Sequence, residues 1–193
     1  MKNNEKIIFR LAKIDDAEKL VEIYAPYVKN TNITFEYEVP TIDEFKQRIT
    51  KIMSKFPYIV ACIGDEIVGY TYASTFRERQ AYNWCVETSI YINEKYQGRK
   101  IGEILYTKLE AILKLQNITN LVASITYPNP QSIVFMKFNY KKIAHFTKCG
   151  YKQNYWYDMI FMEKVINKHE TLAKEIIYLP DLDKNLVEKI LQK

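Results

Sequence analysis

The chain is poor in the residues that build metal sites. It holds two histidines, His145 and His169, and three cysteines in 193 residues. No pair of them has the short spacing of a metal centre, so no metal is expected. Cys62, Cys85 and Cys149 are odd in number and far apart, each within an apolar, strand-like segment. Thiols of that kind read as buried and free. No apolar run approaches the ~18–20 residues of a membrane span. The amino terminus, MKNNEKIIFR, also lacks the apolar core of a signal peptide. The expectation is a cytoplasmic protein without a membrane partner. Internal repeats and low-complexity tracts are absent as well. The net charge of +5, from 28 Lys plus Arg against 23 Asp plus Glu, mildly favours anionic ligands. It is not gathered into the basic stripe of a nucleic-acid binder, so no nucleic acid is expected.

What is present suits one ordinary domain with a full core: 48% hydrophobic and 26% charged residues. Sixteen tyrosines allow an aromatic-lined cleft, although tyrosine also serves well in strands. The first predicted strand is Ile7 to Ala12. A helix follows, capped by Asp15 with Glu18, and Pro26 should bend or break its last turn. Thr41 and Glu44 form a second capping box. Strands are predicted at Tyr58 to Ile63 and Ile67 to Ser74, joined by a Gly64-Asp65 turn. The loop Phe76 to Asn83 leads into a strand from Trp84 to Ile92. A helix opening at Gly98 carries Ile101, Leu105, Leu109, Ile112 and Leu113 on one face. A strand from Leu121 to Tyr127 precedes Asn129-Pro130, a helix start whose helix should stop near Asn139. Tyr140 to Thr147 and Tyr155 to Glu163 close the sheet. The order is that of a mixed α/β (α+β) domain over residues 1–165. The tail, 166–193, reads as two amphipathic helices (Glu170 to Leu179 and Asp181 to Lys193) that do not form a domain of their own.

The most informative stretch is the strand, loop and helix from Trp84 to Leu115. Glycine and basic residues at a helix start, directly after a strand, suit a phosphate-bearing ligand. The first helical N–H groups there lack intrahelical partners, and the helix dipole adds positive potential. Glu87, on the strand before the turn, is a candidate for acid–base work.

The junction Gln97-Gly98-Arg99-Lys100-Ile101-Gly102 resembles the Q/R-x-x-G-x-G/A turn of the GNAT N-acetyltransferase superfamily. Asn129-Pro130-Gln131-Ser132 follows at a matching distance. Further segments are Phe56-Pro57, Gly69-Tyr70-Thr71-Tyr72-Ala73, Arg79-Gln80-Ala81-Tyr82-Asn83-Trp84 and Glu87-Thr88-Ser89-Ile90-Tyr91. With Gly150-Tyr151-Lys152 and Trp156-Tyr157-Asp158 they resemble the phosphinothricin N-acetyltransferase branch, from about Ile7 to Glu163.

The resemblance implies a GNAT-type fold, a mostly antiparallel sheet flanked by helices, and acetyl-CoA as cosubstrate. It implies that Ile90, Tyr91 and Ile92 pair with the pantetheine arm. Gln97, Gly98, Arg99, Lys100, Ile101, Gly102 and Glu103 would hold the pyrophosphate, and Asn129 with Ser132 would contact the cofactor near the thioester. Glu87 matches the general base, and Phe35, Arg79 and Tyr82 fall where the branch lines its acceptor pocket. A homodimer and a small amine acceptor, an amino acid or analogue such as phosphinothricin or methionine sulfoximine, are expected.

The chemistry is consistent with those roles. An amine arrives as an ammonium and must lose a proton before attacking a thioester. A carboxylate in an aromatic pocket can be tuned for that task. Two positions depart from the pattern. Lys100 stands where a glycine is expected, and Met136 stands where relatives carry a proton-donating Tyr or His, leaving Tyr127 or Tyr140 as substitutes. Plainer readings exist for each residue: Glu87 and Arg79 as solvated side chains, Trp84 and Trp156 as core or dimer contacts, Phe35 as core. The rival functions are acetylation of a protein amino terminus or polyamine, and a non-catalytic CoA-binding domain.

Overall fold

The computed structural model describes residues 6–129 and 138–193. Seven strands form one sheet in the order β1-β2-β3-β4-β5-β7-β6. They are β1 (Ile7–Leu11), β2 (Tyr58–Ile63), β3 (Glu66–Thr75), β4 (Cys85–Ile92), β5 (Asn120–Tyr127), β6 (Lys141–Lys152) and β7 (Tyr155–Val165). Every neighbouring pair is antiparallel except β4–β5. A parallel pair needs a crossover, and α3 (Ile101–Leu115) supplies it. The expected mixed, mostly antiparallel α/β architecture is the observed one.

Two cores lie on the two faces of the sheet. Strand β2 is buried at all six positions because it is covered on both sides. Tyr58, Val60 and Cys62 meet α1 (Ala17–Asn30) and α2 (Ile42–Met53), whereas Ile59, Ala61 and Ile63 meet α3 and the C-terminal helix α4 (Lys184–Gln192). The predicted stripe Ile101, Leu105, Leu109, Ile112 and Leu113 is buried along α3. Helix α2 starts as its sequence requires: Thr41 Oγ1 accepts from the Glu44 N–H, and the Glu44 carboxylate accepts from the Thr41 N–H at 2.7 Å.

Several local expectations are corrected. The chain enters α1 through a 3-10 turn, Ile14–Asp16. The capping carboxylate is Asp16, not Asp15: it accepts from the Lys13 N–H at 2.7 Å and holds the Arg10 guanidinium in a two-point pair. Pro26 does not end α1, which continues to Asn30. Helix α3 begins at Ile101, three residues after Gly98, because Gly98 and Lys100 both have positive φ. Cys149 is exposed and Cys85 half-buried; only Cys62 is fully buried. The helix expected after Asn129 falls largely outside the described residues, as do Ser132 and Met136.

The first expected tail helix, Glu170 to Leu179, does not form. Residues 173–178 form neither helix nor strand, and side chains supply hydrogen bonds that a helix would have made internally. Trp84 Nε1 donates to the Lys174 carbonyl, Asn117 Nδ2 to Glu175 and Gln116 Nε2 to Ile177. Helix α4 then docks its buried Val187 and Leu191 into the core beside α3. Buried Lys108 on α3 donates to the Ile190 carbonyl at 2.8 Å and lies over the Phe9 ring.

Candidate active site

The pairing of β4 with β5 covers three positions only: Cys85 with Asn120, Val86 with Leu121, and Glu87 with Val122. Beyond Glu87 the strands part. The apex is filled by hydroxyls. Thr88 Oγ1 donates to the Val122 carbonyl at 3.3 Å and accepts from Tyr106 OH at 3.2 Å, while Tyr140 OH lies 3.3 Å away. Burial pushes the Tyr106 and Tyr140 phenols well above their ordinary range, so both keep their protons.

The parted strands enclose a cleft of about 570 Å³. One wall is β4, with Ile90, Tyr91 and Ile92, and the other is β5, with Ser124, Ile125, Thr126 and then Asn129. Its open end is Gln97, Gly98 and Lys100, followed by the first turn of α3: Ile101, Gly102 and Glu103. The backbone of this turn suits an anion. Gly98 has φ +76, which glycine adopts freely, and the first N–H groups of α3 have no intrahelical acceptor. Lys100 is the N-cap of α3 with φ 63. The expected glycine would take that conformation without cost, whereas lysine takes it at about 1–2 kcal/mol. A Cβ at Gly102 would lie 3.2 Å from Ile90 Cδ1, so a side chain there would crowd the cleft at its anion end.

Strand β4 turns alternate residues to opposite sides. Thr88, Ile90 and Ile92 face α3, as the Tyr106 bond and the Gly102 contacts show. Glu87, Ser89 and Tyr91 face α1 and α2, where the Tyr91 ring meets those of Tyr24 and Tyr27 edge-on. Tyr72, opposite Ser89 on β3, belongs to the same face. Burial raises its phenol; Arg48 opposes the shift, and the carboxylates of Glu87 and Glu36 add to it. Glu36 is held by Arg48 at 2.7 Å. Glu87 therefore sits at the point where the strands part, half-buried, on the side away from α3.

The structure gathers most of the expected cofactor residues in this cleft: Ile90, Tyr91, Ile92, Gln97, Gly98, Lys100, Ile101, Gly102, Glu103 and Asn129. Arg99 is turned outward, its guanidinium 4.9 Å from the Tyr96 ring centre. Phe35 packs on Gly150 and near the Tyr157 ring. Arg79 and Tyr82 lie on the β3–β4 loop and do not line the cleft. Tyr82 instead lines a second cavity, of about 520 Å³, with Trp84 and the tail residues 167–170. Of the two substitutes for Met136, Tyr127 is exposed with its ring against His145, and only Tyr140 reaches the apex.

One residue of the cleft carries no functional signal in the sequence. Tyr27 OH donates to the Ile92 carbonyl at 2.6 Å, and accepts from the Ile92 N–H and from Gln97 Nε2, each at 3.2 Å. Both backbone groups of Ile92 thus point away from β3. By the strand period, those of Ile90 point the same way, into the cleft. A hydroxyl target 65 residues downstream leaves no trace in local pattern.

The comparisons with known proteins follow this geometry. A family model described as an acetyltransferase (GNAT) domain matches residues 9–161. A phosphinothricin N-acetyltransferase of Streptomyces viridochromogenes is 27% identical over 80% of this chain and 85% of its own. An L-methionine sulfoximine/L-methionine sulfone acetyltransferase of Salmonella typhimurium is 24% identical, covering 83% of this chain and 95% of its own. Among solved structures, a phosphinothricin acetyltransferase of Sinorhizobium meliloti in complex with AcCoA superposes with a TM-score of 0.82 at 29% identity, over 91% of this chain and 96% of that one. A sheet opened after one carboxylate-bearing strand, with a glycine turn at its mouth, is matched by these relatives, two of them phosphinothricin acetyltransferases: the chain belongs to the GNAT acetyltransferase family.

Proposed function

We propose that the protein moves the acetyl group of acetyl-CoA to the amino group of a small amino acid or analogue, of the phosphinothricin or methionine sulfoximine or sulfone type, by direct transfer with both substrates bound. The observation that carries this reading is the parting of β4 and β5 directly after Glu87. The α3 side of the opening offers a long cleft with an anion-binding turn at one end, which suits a pyrophosphate on an extended arm. The amide-bearing arm would pair with the N–H and C=O of Ile90. Gly98, Lys100, Gly102 and the first N–H groups of α3 would receive the pyrophosphate, with Asn129 on the opposite wall.

The acceptor amine comes from the other face. Glu87 takes its proton, directly or through a water, so that the free amine attacks the thioester carbonyl. A backbone N–H of the parted β4 stabilises the charge that develops on the carbonyl oxygen. Departure of CoA as a thiolate needs no acid, because a thiol pKa is only ~8.5. Phe35 forms part of the acceptor wall, and Arg79 acts from the loop between β3 and β4. The enzyme works in the cytoplasm, as its free thiols suggest. It pairs as a homodimer, which the exposed Tyr151, Tyr155 and Trp156 of β6 and β7 support.

CoA thiol release, measured against a panel of amino-acid analogues, tests the reading. At least one analogue should speed release. Glu87→Gln should lower kcat by roughly 100-fold or more, the range of general base catalysis, with acetyl-CoA affinity unchanged by calorimetry. If acetyl-CoA binds and no acceptor speeds release, the domain binds CoA without catalysis. If polyamines or peptide amino termini are the better acceptors, the amino-acid assignment fails.

A further inference from the structure

Lys152 is a buried cation, only 3% exposed, and among the described residues no carboxylate pairs with it. Its ammonium instead donates to three backbone carbonyls: Val28 at 2.8 Å, Thr31 at 2.8 Å and Thr34 at 2.7 Å. Three donors meet three acceptors, which uses the whole hydrogen-bonding capacity of the group. Burial lowers its pKa, and the nearby charge of Glu36 opposes that shift. Taking an ammonium out of water is costly, and it is retained where the geometry repays the cost.

The geometry here concerns one segment. Helix α1 ends at Asn30 with its last carbonyls unpaired within the helix. Thr31 Oγ1 takes that of Tyr27, Lys152 that of Val28, and Gln153 Nε2 that of Lys29. The chain then turns at Thr31 into residues 31–37. This segment supplies Ile33 to the cleft and Glu36 to the face of β4 that carries Glu87. Three consecutive residues of β6, with Gln153 just after it, hold this segment and the helix end before it. Phe35 packs where a Gly150 side chain would collide with it, Tyr37 OH donates to the Tyr151 carbonyl, and Lys152 and Gln153 fix the rest.

We infer that Lys152 is a positioning residue for the acceptor. Its ammonium gathers the carbonyls of Val28, Thr31 and Thr34, and so sets the wall formed by residues 31–37 at a fixed place opposite Glu87. The inference rests on the reading that the acceptor approaches Glu87 from the α1–α2 face. The carbonyls that Lys152 holds lie at the end of α1 and just beyond it, and none belongs to the pyrophosphate turn. The second buried lysine, Lys108, makes a comparable carbonyl contact to α4, away from both substrates.

The test replaces each lysine by methionine in the full-length protein. Lys152→Met should raise the acceptor KM by roughly tenfold or more, as a misplaced substrate wall does, with acetyl-CoA affinity by calorimetry within about twofold. Amide exchange across residues 28–37 should rise and that across 97–104 should not. Lys108→Met should lower Tm and leave the acceptor KM unchanged. Gly150→Ala, which displaces Phe35 without stranding three carbonyls, should raise the acceptor KM in the same way and serves if Lys152→Met does not fold. An unchanged acceptor KM in a folded Lys152→Met or Gly150→Ala variant overturns the positioning role alone. A wild type that transfers acetyl to no acceptor overturns the reading of the site, and the positioning role with it.

Discussion

On the side of β4 that meets α3, Thr88, Ile90 and Ile92 line a groove whose charges, among the described residues, stand at its mouth. On the opposite side, Glu87, Ser89 and Tyr91 look into a dense group of phenols from Tyr24, Tyr27, Tyr58, Tyr70 and Tyr72. One strand thus serves two substrates of different chemistry. A long cosubstrate is held by backbone groups and a helix end, for which side chains need only be small or apolar. A polar acceptor must instead be met by side chains, and its proton must go somewhere. The alternation of a strand keeps these demands apart while leaving both faces within reach of the same point, where β5 departs.

The most drastic way to break this comparison is to charge the phenolic face. Burial raises the phenols of Tyr24, to about 12, and of Tyr27, Tyr58, Tyr70, Tyr72 and Tyr91. Above the unfolded value of ~10 the unfolded chain loses these protons first, so it binds fewer protons than the native state. Stability is therefore full below pH ~10 and falls as pH rises beyond it. Thermal melts across alkaline pH, followed together with tyrosinate absorbance, should show tyrosinate appearing cooperatively with unfolding. Gradual ionisation of a folded protein would mean that this face is open to water.

A smaller effect is expected on the other face. Gly102→Val adds atoms towards Ile90 and narrows the groove at its anion end. Acetyl-CoA affinity should fall by roughly tenfold, the scale of about 1.4 kcal/mol, with acceptor KM unchanged at saturating acetyl-CoA. A change in acceptor KM of the same size would show that the faces are not independent.

The smallest effect should come from the residue that joins them. Tyr27→Phe leaves the N–H and C=O of Ile92 without their hydroxyl partner, a loss of about 1–2 kcal/mol in stability. Urea unfolding measures that loss. Acetyl-CoA affinity should drop a few-fold, because Gln97 loses its tether as well. Unaltered affinity would confine Tyr27 to the core.

The sequence determined those parts of this protein that depend on neighbours along the chain. Thr41 and Glu44 meet across one helical turn, the stripe of α3 repeats every three to four residues, and Gly98 stands where the backbone needs a positive φ. Each of these is a short-range interaction, complete within a few residues. The site's motif could be read as a turn after a strand, and the family followed from it.

Only the tertiary structure decided the rest, because the deciding atoms lie far apart in sequence. Lys152 reaches carbonyls more than a hundred residues earlier, and Tyr27 reaches Ile92 65 residues away. The stretch before Leu179 reads as an amphipathic helix by itself, yet Trp84, Gln116 and Asn117 offer its backbone other partners, and it does not become a helix. The positive φ at Lys100 opposes that residue's own preference and is held by the turn around it. Tyr82 carries the family motif, and its side chain faces a cavity that the tail helps to build. A buried hydrogen-bonding group takes the partner the fold brings to it, and spacing along the chain does not record which one that will be.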